Sequence, residues 1–137
     1  DVQFEYAANS TFSGIVRHTS RWHDSSMPFM SHDILVTTGD FANADLVRTS
    51  VSNHHFSWRS PDQKPSGTIN LLHIFPATDD IFNQLLEIKE WDHVTISGRE
   101  ILRINRFDAD GQDLGYWKDT GCNSILVTSV TIEQPTP

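Results

Sequence analysis

The stretch "DHVTISGREILRINRF", residues 92–107, decides the fold. Val94 and Ile96 alternate with polar residues up to Gly98, and Leu102 and Ile104 resume the apolar positions beyond it. Alternation of this kind marks a strand with one buried face. A glycine inside a strand marks a bulge or a sharp bend. A long strand bent in its middle belongs to a small barrel rather than to a flat sheet.

The flanking elements extend this reading. "TDDIFNQLLEIKE", residues 78–90, is the one segment with helical spacing: Ile81, Phe82, Leu85 and Leu86 make an apolar face. Thr78 suits the N-cap, and Asp79 and Asp80 suit the positive end of the helix dipole. Short strands are predicted at "FSGIVRH" (12–18), "ILVTTG" (34–39), "TINLLHIF" (68–75), "LGYWK" (114–118) and "SILVTSVTIE" (124–133). "LVRTSVSNHHFSWRS" (46–60) alternates and is predicted as one further strand. "RWHDSSMPFMSHD" and "SPDQKPSG" read as loops, "DFANADLVR" as a turn or single helical turn, and "DADGQD" as a hairpin tip. One helix, at about 79–90, among some seven strands predicts a mainly β, OB-like, partly closed barrel. The 137 residues suit a single domain, 1–137, with 133–137 as a flexible tail.

Charge narrows the partners expected. The chain carries 18 acidic against 10 basic residues, a net charge of −8. Nucleic-acid binding draws on lysines and arginines that neutralise phosphates. This balance therefore predicts no nucleic-acid partner, and it disfavours an anionic membrane surface equally. The chain begins at Asp1 rather than at methionine. That favours a removed leader or membrane anchor about as much as simple trimming of a terminus. Cys122 is the only cysteine, so no disulfide forms within one chain.

The residues that could carry chemistry each have a plainer reading. If 46–58 is a strand, His54 points with Phe56 and Trp58, while His55 points with Ser57 and Arg59. Adjacent histidines split in this way do not grip one metal ion, which needs three or four converging groups. His18, His23 with Asp24, and His32 with Asp33 lie in or beside the first long loop; they could converge into a weak Zn²⁺ or Cu²⁺ site, and solvated loop residues are the plainer reading. His73 shares a face with Ile69, Leu71 and Phe75, the setting of a buried, hydrogen-bonded histidine. "DADGQD" departs from a calcium loop, because its glycine is misplaced. Cys122 reads as a small hydrophobe opening a strand. The tryptophans 22, 58, 91 and 117 suit core or rim packing, and exposed together they could stack a ring. No metal or other cofactor is expected.

The order of the short motifs "SHDILVTTG", "SWRSP", "INLLHIFPA", "LLEIKEWDHVTISGREI" and "YWKDTGCNSILVTSV" resembles a family of uncharacterised bacterial proteins, often exported or membrane-anchored. That family's pattern runs S-x-x-D-L (or I), W-R, N-x-H-L-I-P-A and D-T-G…C. Asp33, Trp58, Arg59, His73, Pro76, Ala77, Gly98, Trp117, Asp119, Gly121 and Cys122 fall on it. Trp91 stands where the pattern has glycine, Asn70 lies one place early, and three residues are missing between Gly121 and Cys122. The resemblance implies a periplasmic or otherwise extracytoplasmic location. It also implies that Trp58, Arg59, His73, Trp117, Asp119 and Cys122 lie near one another, as a candidate ligand or partner cluster or as a structural knot. The expected function is a non-enzymatic module binding a protein or small molecule. The alternative is a small hydrolase built around His73 with Asp119 or Cys122.

Overall fold

The computed structural model describes residues 2–22, 29–53, 55–61, 64–117 and 123–133. Among these residues eight strands and one helix follow in order: β1 (Val2–Arg21), β2 (His32–Thr37), β3 (Arg48–Ser52), β4 (His55–Arg59), β5 (Ile69–Pro76), α1 (Asp79–Leu86), β6 (His93–Phe107), β7 (Asp113–Trp117) and β8 (Asn123–Glu133). A 3-10 turn, Gly39–Ala42, precedes β3.

The main sheet runs β1-β2-β5-β8-β6-β7, and β1 also pairs with β6. The ladder thus returns to its first strand and makes a partly closed, OB-like barrel of β1, β2, β5, β8 and β6. β5 and β8 pair in parallel, and the other ladders are antiparallel. This strand order, with the helix between the third and fourth barrel strands, is the OB arrangement. β3 and β4 form a separate two-stranded sheet inserted between β2 and β5.

Alternating residues of the barrel strands fill its interior: Val16, Ile34, Val36, Leu72, Ile74, Val94, Ile96, Ile125 and Val127 form one buried cluster. Ile81 and Leu85 of α1, with Ile88 just after it, join that cluster and close one end. Thr78 caps the helix as predicted, its Oγ1 accepting from Ile81 N–H at 3.2 Å. The helix ends at Leu86, four residues before the expected boundary. Gly98 sits where the β6–β8 register slips, and a β-carbon there would lie 2.1 Å from the Leu126 carbonyl oxygen. The bend at Gly98 is thus a close backbone crossing.

Two segments differ from expectation. β1 spans twenty residues rather than seven, because residues 2–15 ladder along β6 while 15–21 ladder along β2. The predicted strand 46–60 is instead the β3–β4 hairpin, turned at Asn53 with φ +51. Asparagine is among the few residues that take this left-handed conformation readily.

The far halves of β1 and β6 run beyond the barrel as an arm that folds over its outer face. Phe4, Tyr6, Ile101 and Ile104 pack there against Met30 and Phe75. The Phe4 and Phe75 rings meet edge-on, with centroids 6.3 Å apart. That outer face of the second and third barrel strands is where OB folds commonly take oligonucleotides. Here Asp33, Leu35, Leu71, His73 and Phe75 are buried on it.

Candidate functional site

The β3–β4 hairpin is the exposed element with the most distinctive composition. Residues 46–61 contain two arginines, two histidines and no aspartate or glutamate, in a chain of net charge −8. The register places Arg48 opposite Arg59, Ser50 opposite Ser57 and Ser52 opposite His55. Directly opposed residues of an antiparallel pair share a face. One face is therefore polar and cationic, with the Ser50 and Ser57 hydroxyls 2.7 Å apart. Thr49, Val51, Phe56 and Trp58 occupy the other face. Neither arginine is within ion-pair distance of a carboxylate among the described residues. Both line a cavity of about 310 Å³ with Leu46, Ser60 and Asp45, the one acid among the described residues at its rim.

The hairpin is held to the barrel by its base. Arg17 of β1 donates from Nη1 to the Phe41 carbonyl (2.6 Å) and from Nη2 to the Val47 carbonyl (3.0 Å). Burial lowers the Arg17 pKa from its ordinary value, and Glu90 acts in the opposite direction. Phe41 is buried and meets the half-exposed Trp58 edge-on, with centroids 5.2 Å apart. Ser60 Oγ donates to the Leu46 carbonyl and closes the hairpin's open end. The cationic face therefore rests on a fixed support.

Of the residues expected to cluster, Trp58 and Arg59 are neighbours on β4. His73 lies on β5 of the main sheet, directly opposite Asp33 of β2, with Nε2 3.6 Å from Asp33 Oδ1. Both side chains are buried, so this pair does not open on a cleft as a hydrolytic site must. Trp117 is the last residue of β7, its backbone paired with Ile104. Asp119 and Cys122 lie outside the described residues, as does His54. His55 shares its face with Ser57 and Arg59, as strand alternation predicts. His18 and His32 bond separately, to Ser20 Oγ and Ser31 Oγ. Arg48, Arg17 and Phe41 were not among the expected site residues. The acid-free run 46–61 was the signal for Arg48. Nothing local marks Arg17, which reaches the hairpin only through the barrel.

No family model and no curated protein matches the chain. Among solved structures, a mitochondrial single-stranded DNA-binding protein of S. cerevisiae is similar at 8% identity and TM-score 0.47, covering 97% of this chain and 100% of its own. A small single-stranded DNA-binding protein of Streptomyces coelicolor is similar at 10% identity and TM-score 0.40, covering 92% of this chain and 94% of its own. Both descriptions run counter to two expectations, that the chain takes no nucleic acid and that it is a module for a protein or small molecule instead, and these are withdrawn; the likeness itself concerns the fold alone. Net charge was too coarse a ground for them. A total of −8 is a sum over the chain, whereas a polyanion meets one face.

Proposed function

We propose that the protein binds single-stranded nucleic acid through the cationic face of the β3–β4 hairpin. The observation behind this reading is the direct opposition of Arg48 and Arg59 on a hairpin without acids. Like charges directly opposite each other destabilise a ladder. A phosphate between them removes that repulsion. The Ser50 and Ser57 hydroxyls continue the same face and suit phosphate or sugar oxygens. Trp58 belongs to the opposite face and is backed by Phe41, but it lines a groove together with Arg48, Ser50, Ser57 and Arg59, where its part-exposed ring can meet an unpaired base. Bases inside a duplex present no such face, which favours single strands. The arm over β2 and β5 accounts for a contact surface displaced from the barrel face to the inserted hairpin.

The test is fluorescence anisotropy of a labelled oligothymidylate titrated with the protein at several salt concentrations. Two phosphate contacts predict a slope of about −1.4 in log K against log salt. The double variant Arg48→Ala/Arg59→Ala should lose most of the affinity and most of that slope. Absence of binding at low salt, or binding indifferent to the double variant, overturns the reading.

A further inference from the structure

Trp91 occupies a backbone conformation suited to glycine and leaves half of its side chain in solvent. The turn after α1 runs from Lys89 to Asp92. Asp92 N–H donates to the Lys89 carbonyl (3.1 Å), and Lys89 N–H donates to Asp92 Oδ2 (2.9 Å). Trp91 is the third residue of this turn and has φ +75. Turns with positive φ at that position take glycine or asparagine. A tryptophan there is strained, and with 50% of it exposed, little burial offsets the strain. Strain of this kind, kept by its surroundings, gathers at functional sites.

The surroundings fix the ring in place. Trp91 N–H donates to the Val16 carbonyl (2.6 Å), and Val16 N–H donates to the Asp92 carbonyl (2.9 Å). Arg17, next along β1, lays its guanidinium over the Trp91 ring at 4.9 Å from the centroid. The same guanidinium holds the Phe41 and Val47 carbonyls. A single side chain thus joins Trp91 to the segment that supports Trp58.

We infer that Trp91 is a second stacking platform for the strand that lies along the hairpin, an inference that rests on the reading of that hairpin as a nucleic-acid surface. Glu90 and Asp92 flank the ring in the chain. Their charges disfavour a phosphate at this point and leave a neutral base as the group that fits. Arg17 beneath the ring adds a cation to the stack. The ligand would then span both tryptophans, with its phosphates toward Arg48 and Arg59.

The test compares Trp91→Gly, Trp91→Phe and Trp58→Ala with the parent chain, by oligothymidylate anisotropy and by thermal melting. Glycine relieves the turn, so Trp91→Gly should melt at or above the parent temperature. It should also bind about five- to a hundredfold more weakly, the range for one lost base stack. Trp91→Phe should retain part of the affinity. Unchanged affinity in Trp91→Gly, with loss in Trp58→Ala, overturns this inference and leaves the hairpin reading standing. A lower melting temperature for Trp91→Gly makes Trp91 a packing residue and overturns it also. Equal affinity of the parent chain for an abasic oligonucleotide of the same length would show that no base is stacked, with the same consequence. A parent chain that binds no oligonucleotide removes both readings.

Discussion

The ring of Phe4 meets the ring of Phe75 edge-on at 6.3 Å, and this contact joins the β1–β6 arm to the outer face of the barrel. Phe4 is only partly buried, so its truncation removes a modest apolar area. Phe4→Ala should lower stability by about 1–2 kcal/mol. It should also increase binding of a hydrophobic dye, since Phe75 and Tyr6 lose their cover. Chemical denaturation and dye fluorescence check the two halves separately. Unaltered dye binding would mean that the arm does not depend on this contact.

Arg48 and Arg59 oppose each other in the free protein. Arg59→Thr should therefore leave the melting temperature unchanged or raise stability by about 0.2–1 kcal/mol. The same variant should shrink the salt slope of oligonucleotide binding by about 0.7, one single-strand phosphate contact. A surface variant that stabilises the chain while weakening its ligand is the signature of a site kept for function. A destabilised Arg59→Thr would instead mark the arginine as structural.

Gly98→Ala should be among the most damaging small substitutions in the chain. The added methyl would lie 2.1 Å from a backbone oxygen of β8, which has no flexible side chain to yield. The barrel must then open its β6–β8 ladder or distort, a loss of about 3 kcal/mol. A shift of the urea midpoint measures it.

His32 supplies a pH dependence with a definite sign. Burial, with Arg21 assisting, lowers its pKa from 6.5 to about 4. Above pH 6.5 the ring is neutral in both folded and unfolded chains. Between 6.5 and about 4 the unfolded chain takes up a proton that the folded chain refuses, so stability falls as pH falls. His32→Gln should flatten that part of the profile of melting temperature against pH. An equal slope in parent and variant would assign the acid sensitivity elsewhere.

His73 and Asp33 are buried side by side across the β2–β5 ladder. His73→Asn should destabilise the fold by about 1–3 kcal/mol, as for other disturbed buried polar groups. Oligonucleotide affinity measured well below the melting temperature should not change. Loss of affinity without loss of stability would return His73 to the list of contact residues.

Local chemistry in the chain determined the architecture. The alternation of Val94, Ile96, Leu102 and Ile104 about Gly98, the cap at Thr78 and the turn at "DADG" depend on near neighbours. Their outcome could be read residue by residue: Asp108 Oδ1, for one, accepts the Asp110 and Gln112 amides within the predicted hairpin tip. Tertiary structure alone decided where the proposed ligand surface lies. Residues 2–6, VQFEY, alternate apolar with polar as a strand does, but the length of β1 is settled by β6, along which residues 2–15 ladder. Arg17 and Trp91 are 74 positions apart, and they meet only because the barrel closes. Periodicity and turn chemistry act over a few residues. Register, coverage of a face and the local sign of charge are set by contacts between distant ones, and a whole-chain total of −8 averages the last of these away.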